Sequence, residues 1–220
     1  MSVATPDGYG AALPVLGPGD VVDDGPGWEV CDETGRRDPL GPALVRWCGA
    51  VGAADLQLLG RAEGAVLDVG CGPGRLVAEL ARQGRSALGV DVAATAVHLT
   101  TQAGGAAIRR SVFERVPGEG RWGAVLLVDG NVGIGGDPAA LLRRCRALAC
   151  PDGRVLVELE APGTGCATVR TRLERGVEVT AWFDWAHVGV DAVAGPAAQA
   201  GLRVEDTWSA EDRWFASLTS

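Results

Sequence analysis

Apolar residues gather along this chain in seven short runs, and the stretches between them follow a different period. Residues 65–69, 86–90, 106–108, 123–128 and 154–160 are nearly continuous apolar segments of strand length, the pattern of strands covered on both faces. Residues 202–208 and 213–218 add two more strands. Between the runs the spacing turns helical, as in 138–150, where Leu141, Leu142, Cys145 and Leu148 share one face and Asp137-Pro138 forms a start signal. Further helices are predicted over 93–102 and up to Gln199, the latter kinked or delayed by Pro196. Alternation of this kind predicts an α/β fold: a doubly wound, mostly parallel seven-stranded sheet with helices on both faces. One segment departs from it. Residues 167–185 alternate with period two on either side of Arg175-Gly176, placing Val169, Thr171, Leu173, Val177, Val179, Ala181, Phe183 and Trp185 on one side. That predicts a β-hairpin inserted after strand five, at about 166–186.

Ahead of the first run, residues 41–62 carry two helical pieces, one with Leu44, Val45 and Cys48 on a face, the other with Leu56, Leu58 and Leu59 and with Asp55 able to cap it. Residues 1–40 are rich in glycine, proline and aspartate and read as loop, with a short strand near Trp28-Glu29-Val30-Cys31. Tyr9 and Trp28 are the aromatics on this arm, which is either a mobile tail or a lid. The expected organisation is therefore an arm with packing helices over 1–62 and a core over 63–220.

The first run ends in Gly70, Gly72 and Gly74 at alternate positions, followed by a helical pattern with Leu76, Val77 and Leu80. Strand, glycine turn and helix start is how a doubly wound sheet builds a nucleotide pocket. A dinucleotide fingerprint would place its third glycine at position 75, which is Arg75. A Walker loop is absent too, since the chain contains no lysine. What remains is Asp68 followed by G-x-G-x-G, a carboxylate at a strand tip suited to a ligand with a cationic amino-acid end. Gly89-Val90-Asp91 closes the next run, 17 residues after Gly74. A carboxylate there can accept hydrogen bonds from both ribose hydroxyls.

Leu67-Asp68-Val69-Gly70-Cys71-Gly72-Pro73-Gly74, paired with Asp91, resembles the first motifs of the class I S-adenosylmethionine-dependent methyltransferases. The resemblance covers roughly residues 64–220. It implies S-adenosyl-L-methionine as cofactor and S-adenosyl-L-homocysteine as product, held by Asp68, Gly70, Cys71, Gly72, Gly74, Asp91, Val92, Val112, Phe113 and Asp129. Related enzymes usually place an acidic residue where Ser111 stands, so the adenine contact falls on the Val112 backbone. Phe113 either stacks on the ring or joins the core. Arg46 and Trp47 lie on a helix that packs beside the cofactor in this class.

Composition narrows the acceptor without identifying it. All 20 basic residues are arginine, a bias expected of a GC-rich bacterial genome, and the net charge of −8 disfavours a nucleic-acid partner. The six cysteines show no C-x-x-C and no histidine partner at zinc spacing, so no metal site is expected and the thiols read as reduced. The N terminus has no basic stretch leading into an apolar region, and no apolar run reaches membrane-spanning length, so the expectation is a cytoplasmic protein without a membrane partner.

A sulfonium methyl donor is already activated, so orientation does much of the work and no base is obligatory. The candidates for a base are His187 and Asp129; His98 reads as an exposed helix residue. The expected acceptor is a small molecule. A protein or peptide side chain, or non-catalytic binding of the cofactor, are the alternatives. The acceptor site is expected between the glycine-rich segment 129–136 and residues 182–187 at the end of the hairpin, and the hairpin either covers it or forms a homodimer contact.

Overall fold

In the computed structural model, which describes residues 27–220, the seven apolar runs pair into one sheet. The strands are β3 (Val66–Val69), β4 (Ala87–Asp91), β5 (Ala107–Arg109), β6 (Trp122–Leu127), β7 (Ala149–Leu159), β11 (Arg203–Ala210) and β12 (Arg213–Thr219). Their order is β11-β12-β7-β6-β3-β4-β5, parallel from β7 to β5 and antiparallel at β12 and β11. Alternate residues of the central strands face opposite layers. Val66, Leu126 and Leu156 pack with Leu58 and Leu59 of α2 (Ala53–Arg61) and with Leu76 and Leu80 of α3 (Arg75–Arg82). Leu67, Val125 and Val157 face Leu141, Leu142 and Leu148 of α5 (Pro138–Leu148) and Ala197 of α6 (Ala194–Gln199). The doubly wound plan follows from that two-sided burial.

Three local expectations change. The α5 helix stops at Leu148, and β7 starts five residues before Arg154. Pro151-Asp152-Gly153 is accommodated as an irregularity in the strand, where the pairing jumps from Trp122↔Ala149 to Ala124↔Arg154. In α1 (Gly41–Cys48) only Leu44 is buried, while Val45 and Cys48 point outward. Leu56 of α2 is exposed as well, because the inward face is made by Ala54, Asp55, Leu58 and Leu59.

The hairpin belongs to a second sheet whose extent the alternation did not predict. β8 (Cys166–Arg175) pairs with β9 (Glu178–Val179) and β10 (Phe183–Val188), and its other edge takes β1 (Glu29–Asp32), which pairs with β2 (Arg37–Pro39). The pairing sum shifts by one residue between Glu174↔Val179 and Thr171↔Phe183, so the expected single apolar face does not persist through the turn. At the tip Val177 is 97 % exposed and Val179 also faces outward, since no layer lies beneath them. Trp28, Leu40, Leu44 and Leu173 pack on Ala93 and Ala96, the latter in α4 (Ala94–Gln102). This small core fixes the second sheet above the strand ends of the first.

The 129–136 segment meets the second sheet at Gly133 and Gly136. A Cβ at Gly133 would lie 2.3 Å from the Ala186 carbonyl oxygen, and one at Gly136 would lie 2.6 Å from Asp184 Cβ. Ile134 bridges Trp185, and Thr168 Oγ1 donates to the Gly136 carbonyl at 2.6 Å. These two glycines serve contact between the sheets. Gly133→Ala should therefore destabilise the protein by about 1–3 kcal/mol, the usual cost of forcing extra volume into a packed contact. Chemical denaturation of the variant checks this; a midpoint equal to that of the parent would show that the two sheets are not held together here.

Candidate functional site

The glycine turn is built by three different contacts. Gly70 has φ +72°, and its carbonyl accepts from Asn131 Nδ2 at 2.9 Å, as does the Val69 carbonyl. A Cβ at Gly70 would meet that same amide 2.7 Å away. Gly74 is the left-handed cap of α3, and a Cβ there would lie 2.4 Å from Thr100 Oγ1, so this glycine lets α3 and α4 approach. Gly72 differs from both. Its φ is +53°, and a Cβ would meet nothing within 4 Å, so the missing side chain leaves open space on the cleft. The loop is held by Asp91, whose Oδ2 accepts from the Gly72 amide at 2.9 Å and whose Oδ1 accepts from Ala93 at 2.8 Å.

Above the turn is a cavity of about 340 Å³, within the range of small-molecule sites. Gly70, Cys71, Gly72, Asp91, Val92 and Val112 line its floor, with Ser111 beside them. Val30, Asp38, Thr171, Trp185 and His187 form a roof from one face of the second sheet. Arg46 and Trp47 of α1 close one wall. Of the residues singled out in the sequence, Asp68 and Gly74 are not among those lining the cavity; Asp68 is 3 % exposed behind the turn. Phe113 lies outside the cavity lining and is 39 % exposed, so it does not join the core. Trp182 turns to the outer face, between Arg170 and Arg172. His98 is exposed on α4. Trp28 is buried beside α1, and Tyr9 lies outside the described residues. Among the described residues no cluster is fit to hold a metal ion, and no helix is long and apolar enough to cross a membrane.

Asp129 and Gly130, at the end of β6, both have positive φ, +58° and +82°. The Asp129 amide donates to Glu158 Oε2 at 2.7 Å. Its carboxylate accepts from Arg46 Nε at 3.0 Å and from Arg75 Nη1 at 2.5 Å. Arg75, whose side chain is 7 % exposed, also forks onto Asp55 at 3.0 and 3.1 Å. Arg213 completes the network, reaching Asp55 at 2.8 Å and holding Glu158 through two 2.8 Å bonds. Burial opposes ionisation of Asp55, but the bonds and charges of Arg75 and Arg213 prevail and hold its carboxyl at about 2. Asp68 is the opposite case. Burial pushes its carboxyl up to about 7, against the lowering charge of Arg75 and with the help of Asp129, Asp91 and Asp55.

His187 lines the cavity from β10, and its Nδ1 pairs with Glu160, the residue after β7. The bond to Glu160 raises its pKa above the usual 6.5, while partial burial pulls the other way. Sequence reasoning passed over Glu160, although it ends an apolar run on the ligand side of the sheet just as Asp129 does. Arg213 and Glu158 carried no signal, since their partners are distant in the chain.

A profile of the methyltransferase domain family matches residues 50–191. No curated protein matches the sequence. Among solved structures the fold is similar to an S-adenosylmethionine-dependent methyltransferase from Bacteroides fragilis in complex with S-adenosyl-L-homocysteine, at 20% identity, covering 97% of this chain and 94% of that one with a TM-score of 0.78. It is also similar to a sugar N-methyltransferase from Streptoalloteichus, at 17% identity over 93% of this chain and 98% of that one, with a TM-score of 0.59. A third likeness is to the Burkholderia thailandensis 1,6-didemethyltoxoflavin-N1-methyltransferase with bound 1,6-didemethyltoxoflavin and S-adenosylhomocysteine, at 22% identity, 76% and 77% coverage and a TM-score of 0.55.

The displaced titration of Asp68 has a consequence for stability. Its folded value lies above the unfolded one, so the associated stability is complete below about pH 3.8 and is lost as pH rises through about 7. Asp68→Asn removes that loss. The variant should gain more stability over the parent at pH 8 than at pH 5, by about 2 kcal/mol. Denaturant titrations at the two pH values check it, and an equal gain at both would show that the carboxyl does not titrate in this range.

Proposed function

The chain belongs to the methyltransferase domain family, and from that premise we propose that it transfers a methyl group from S-adenosyl-L-methionine to a small-molecule nucleophile. The observation that carries this reading is the roofed cavity: a glycine turn with open space at Gly72 below, and a β-sheet with Trp185 and His187 above. The residues present suit the cofactor. Gly72 allows close backbone approach, Asp91 is pinned at the end of β4 where a ribose is held, and Cys71, Val92 and Val112 supply a mostly apolar surface beside the Ser111 hydroxyl. When bound, S-adenosylmethionine supplies an activated methyl group whose leaving group is a neutral thioether.

The protein's part is to orient the nucleophile and to keep water out. Trp185 and His187 lie two residues apart on β10, so both project from the same face of the roof. Asp129 is an organising residue in this reading, because guanidinium N–H groups already occupy its oxygens. His187 remains as the group that accepts a proton from the nucleophile. The roof leaves a compact chamber, and two of the similar structures are of enzymes named for small substrates, a sugar and 1,6-didemethyltoxoflavin.

The test is incubation of the full chain with isotopically methyl-labelled S-adenosylmethionine and, in separate reactions, a deproteinised metabolite extract and the protein removed from it. A labelled small product is expected. Label found only in added protein, or tight binding without transfer, would overturn the small-molecule reading. Two variants probe the cofactor site. Asp91→Ala should weaken S-adenosylhomocysteine binding by about 1.5–3 kcal/mol, the scale of hydrogen bonds to a charged group. Because Asp91 also accepts from Gly72 and Ala93, its melting temperature should fall too. Gly72→Val directs a branched side chain into the cavity and should abolish binding while the fold persists, at a backbone cost of about 1–2 kcal/mol. Gly70→Val is a less specific probe, since it also displaces Asn131. Normal calorimetric affinity in a folded Gly72→Val protein would place the cofactor elsewhere.

A further inference from the structure

Beside the exposed Arg36–Asp38 pair, the roof holds a half-buried ionisable couple that the cofactor site does not use. His187 Nδ1 is bonded to Glu160, which follows β7 and itself bridges Gly189 in parallel register. The two residues are 27 positions apart and meet only because β10 of the second sheet runs past the end of β7. The ring is half-buried, and its Nε2 makes no hydrogen bond among the described residues. The other charged groups acting on it are Arg36, from the β1–β2 connection, and Asp32, at the end of β1, with opposite effects. Asp38 and Arg46 line the same cavity.

We propose that Glu160 is a positioning residue that keeps the proton of neutral His187 on Nδ1, leaving Nε2 bare toward the acceptor chamber, and that the acceptor is accordingly an O–H or N–H compound whose proton leaves on methylation. This rests on the methyltransferase reading of the cavity. A carboxylate accepting from Nδ1–H selects the tautomer whose second nitrogen is the proton acceptor. In the proton-transfer step the acceptor's O–H or N–H bond breaks and its electron pair stays on that oxygen or nitrogen. The proton forms a new bond to Nε2 and passes from there to water. Glu160 keeps its bond to Nδ1–H and stabilises the imidazolium. A tertiary amine or a sulfide acceptor has no proton to lose, and a base held in this way would serve no purpose for it.

The chain has two histidines, so His98 serves as an internal reference. Nitrogen-15 NMR of histidine-labelled full-length protein, saturated with S-adenosylhomocysteine, reads tautomer and titration of each ring. Neutral His187 is expected with its proton on Nδ1. In Glu160→Gln, which removes the charge but keeps an oxygen that accepts from Nδ1–H, its titration should move to lower pH, and in Glu160→Ala, which removes the acceptor, its tautomer should move toward Nε2–H, with His98 unchanged in both. A parent protein whose neutral His187 carries its proton on Nε2 overturns the proposal without any variant, and so does a Glu160→Gln protein with titration unmoved or a Glu160→Ala protein with tautomer unmoved. The labelled product of the extract experiment gives a second readout. Methyl on oxygen, or on a nitrogen that has lost hydrogen, supports the proposal; methyl on a sulfide or on a quaternised nitrogen overturns it. Failure of the cofactor reading is separate, since it is seen as absence of S-adenosylhomocysteine binding by calorimetry.

Discussion

The structure depends on Arg75. It stands at the first position of α3, immediately after the glycine turn, and its guanidinium is withdrawn from water between Asp55 and Asp129. Burying one such charge costs several kcal/mol unless its donors are satisfied, and the network satisfies them from several elements at once. Asp55 comes from α2, Asp129 from the end of β6, Glu158 from β7 and Arg213 from the start of β12. The network is complete only when the helix before the sheet and the terminal strands are docked, since Asp55 and Arg213 come from them. The network therefore ties the turn to the completed fold. Removing one member would strand the others in a dry environment, which is why such clusters are weak sources of stability but strong constraints on geometry.

That constraint shapes the end of β6. Asp129 adopts a left-handed conformation that a non-glycine residue occupies at some cost, and the bonds that hold it there come from Arg75, Arg46 and Glu158. Asn131, two residues on, ties the same segment to Val69 and Gly70. One short stretch is thus bonded to the glycine turn on one side and bridged to Trp185 of the second sheet on the other. Floor and roof of the cavity share a single support.

The chemistry of the roof is separate from that of the floor. The floor offers backbone amides, glycine space and carboxylates already engaged by donors. The roof offers aromatic surface and a histidine whose partner is a carboxylate. An ion-paired Asp129 and a half-exposed, carboxylate-bonded His187 are both polar groups near strand ends that line one cavity, Asp129 after a strand of the first sheet and His187 on a strand of the second. Only their neighbours separate them: guanidinium groups hold the one, and a carboxylate holds the other.

How much of this was legible in the sequence follows from the range of the interactions. Period and run length report local burial, so seven strands, the order of helices and strands, and the strand–turn–helix unit at 65–80 could be read directly. Short-range spacing placed the three glycines in one turn and Asp91 at the end of the next strand. The glycines looked alike as letters, and only packing distinguished them: Gly74 faces Thr100, Gly70 faces Asn131, and Gly72 faces open space. The second sheet escaped the pattern because β1 and β2 are short, polar and separated from β8 by more than a hundred residues. Glu160 and His187, Arg213 and Glu158, and Arg75 and Asp129 are likewise pairs made by chain crossings. By itself the sequence determined the family of the fold and the strand–glycine turn–helix unit at its centre, because those rest on neighbours in the chain. Which charges meet, which face of the hairpin roofs the cavity and which carboxylate His187 bonds were decided only by the tertiary structure, because a side chain's partners depend on groups that the chain brings near only when it has folded.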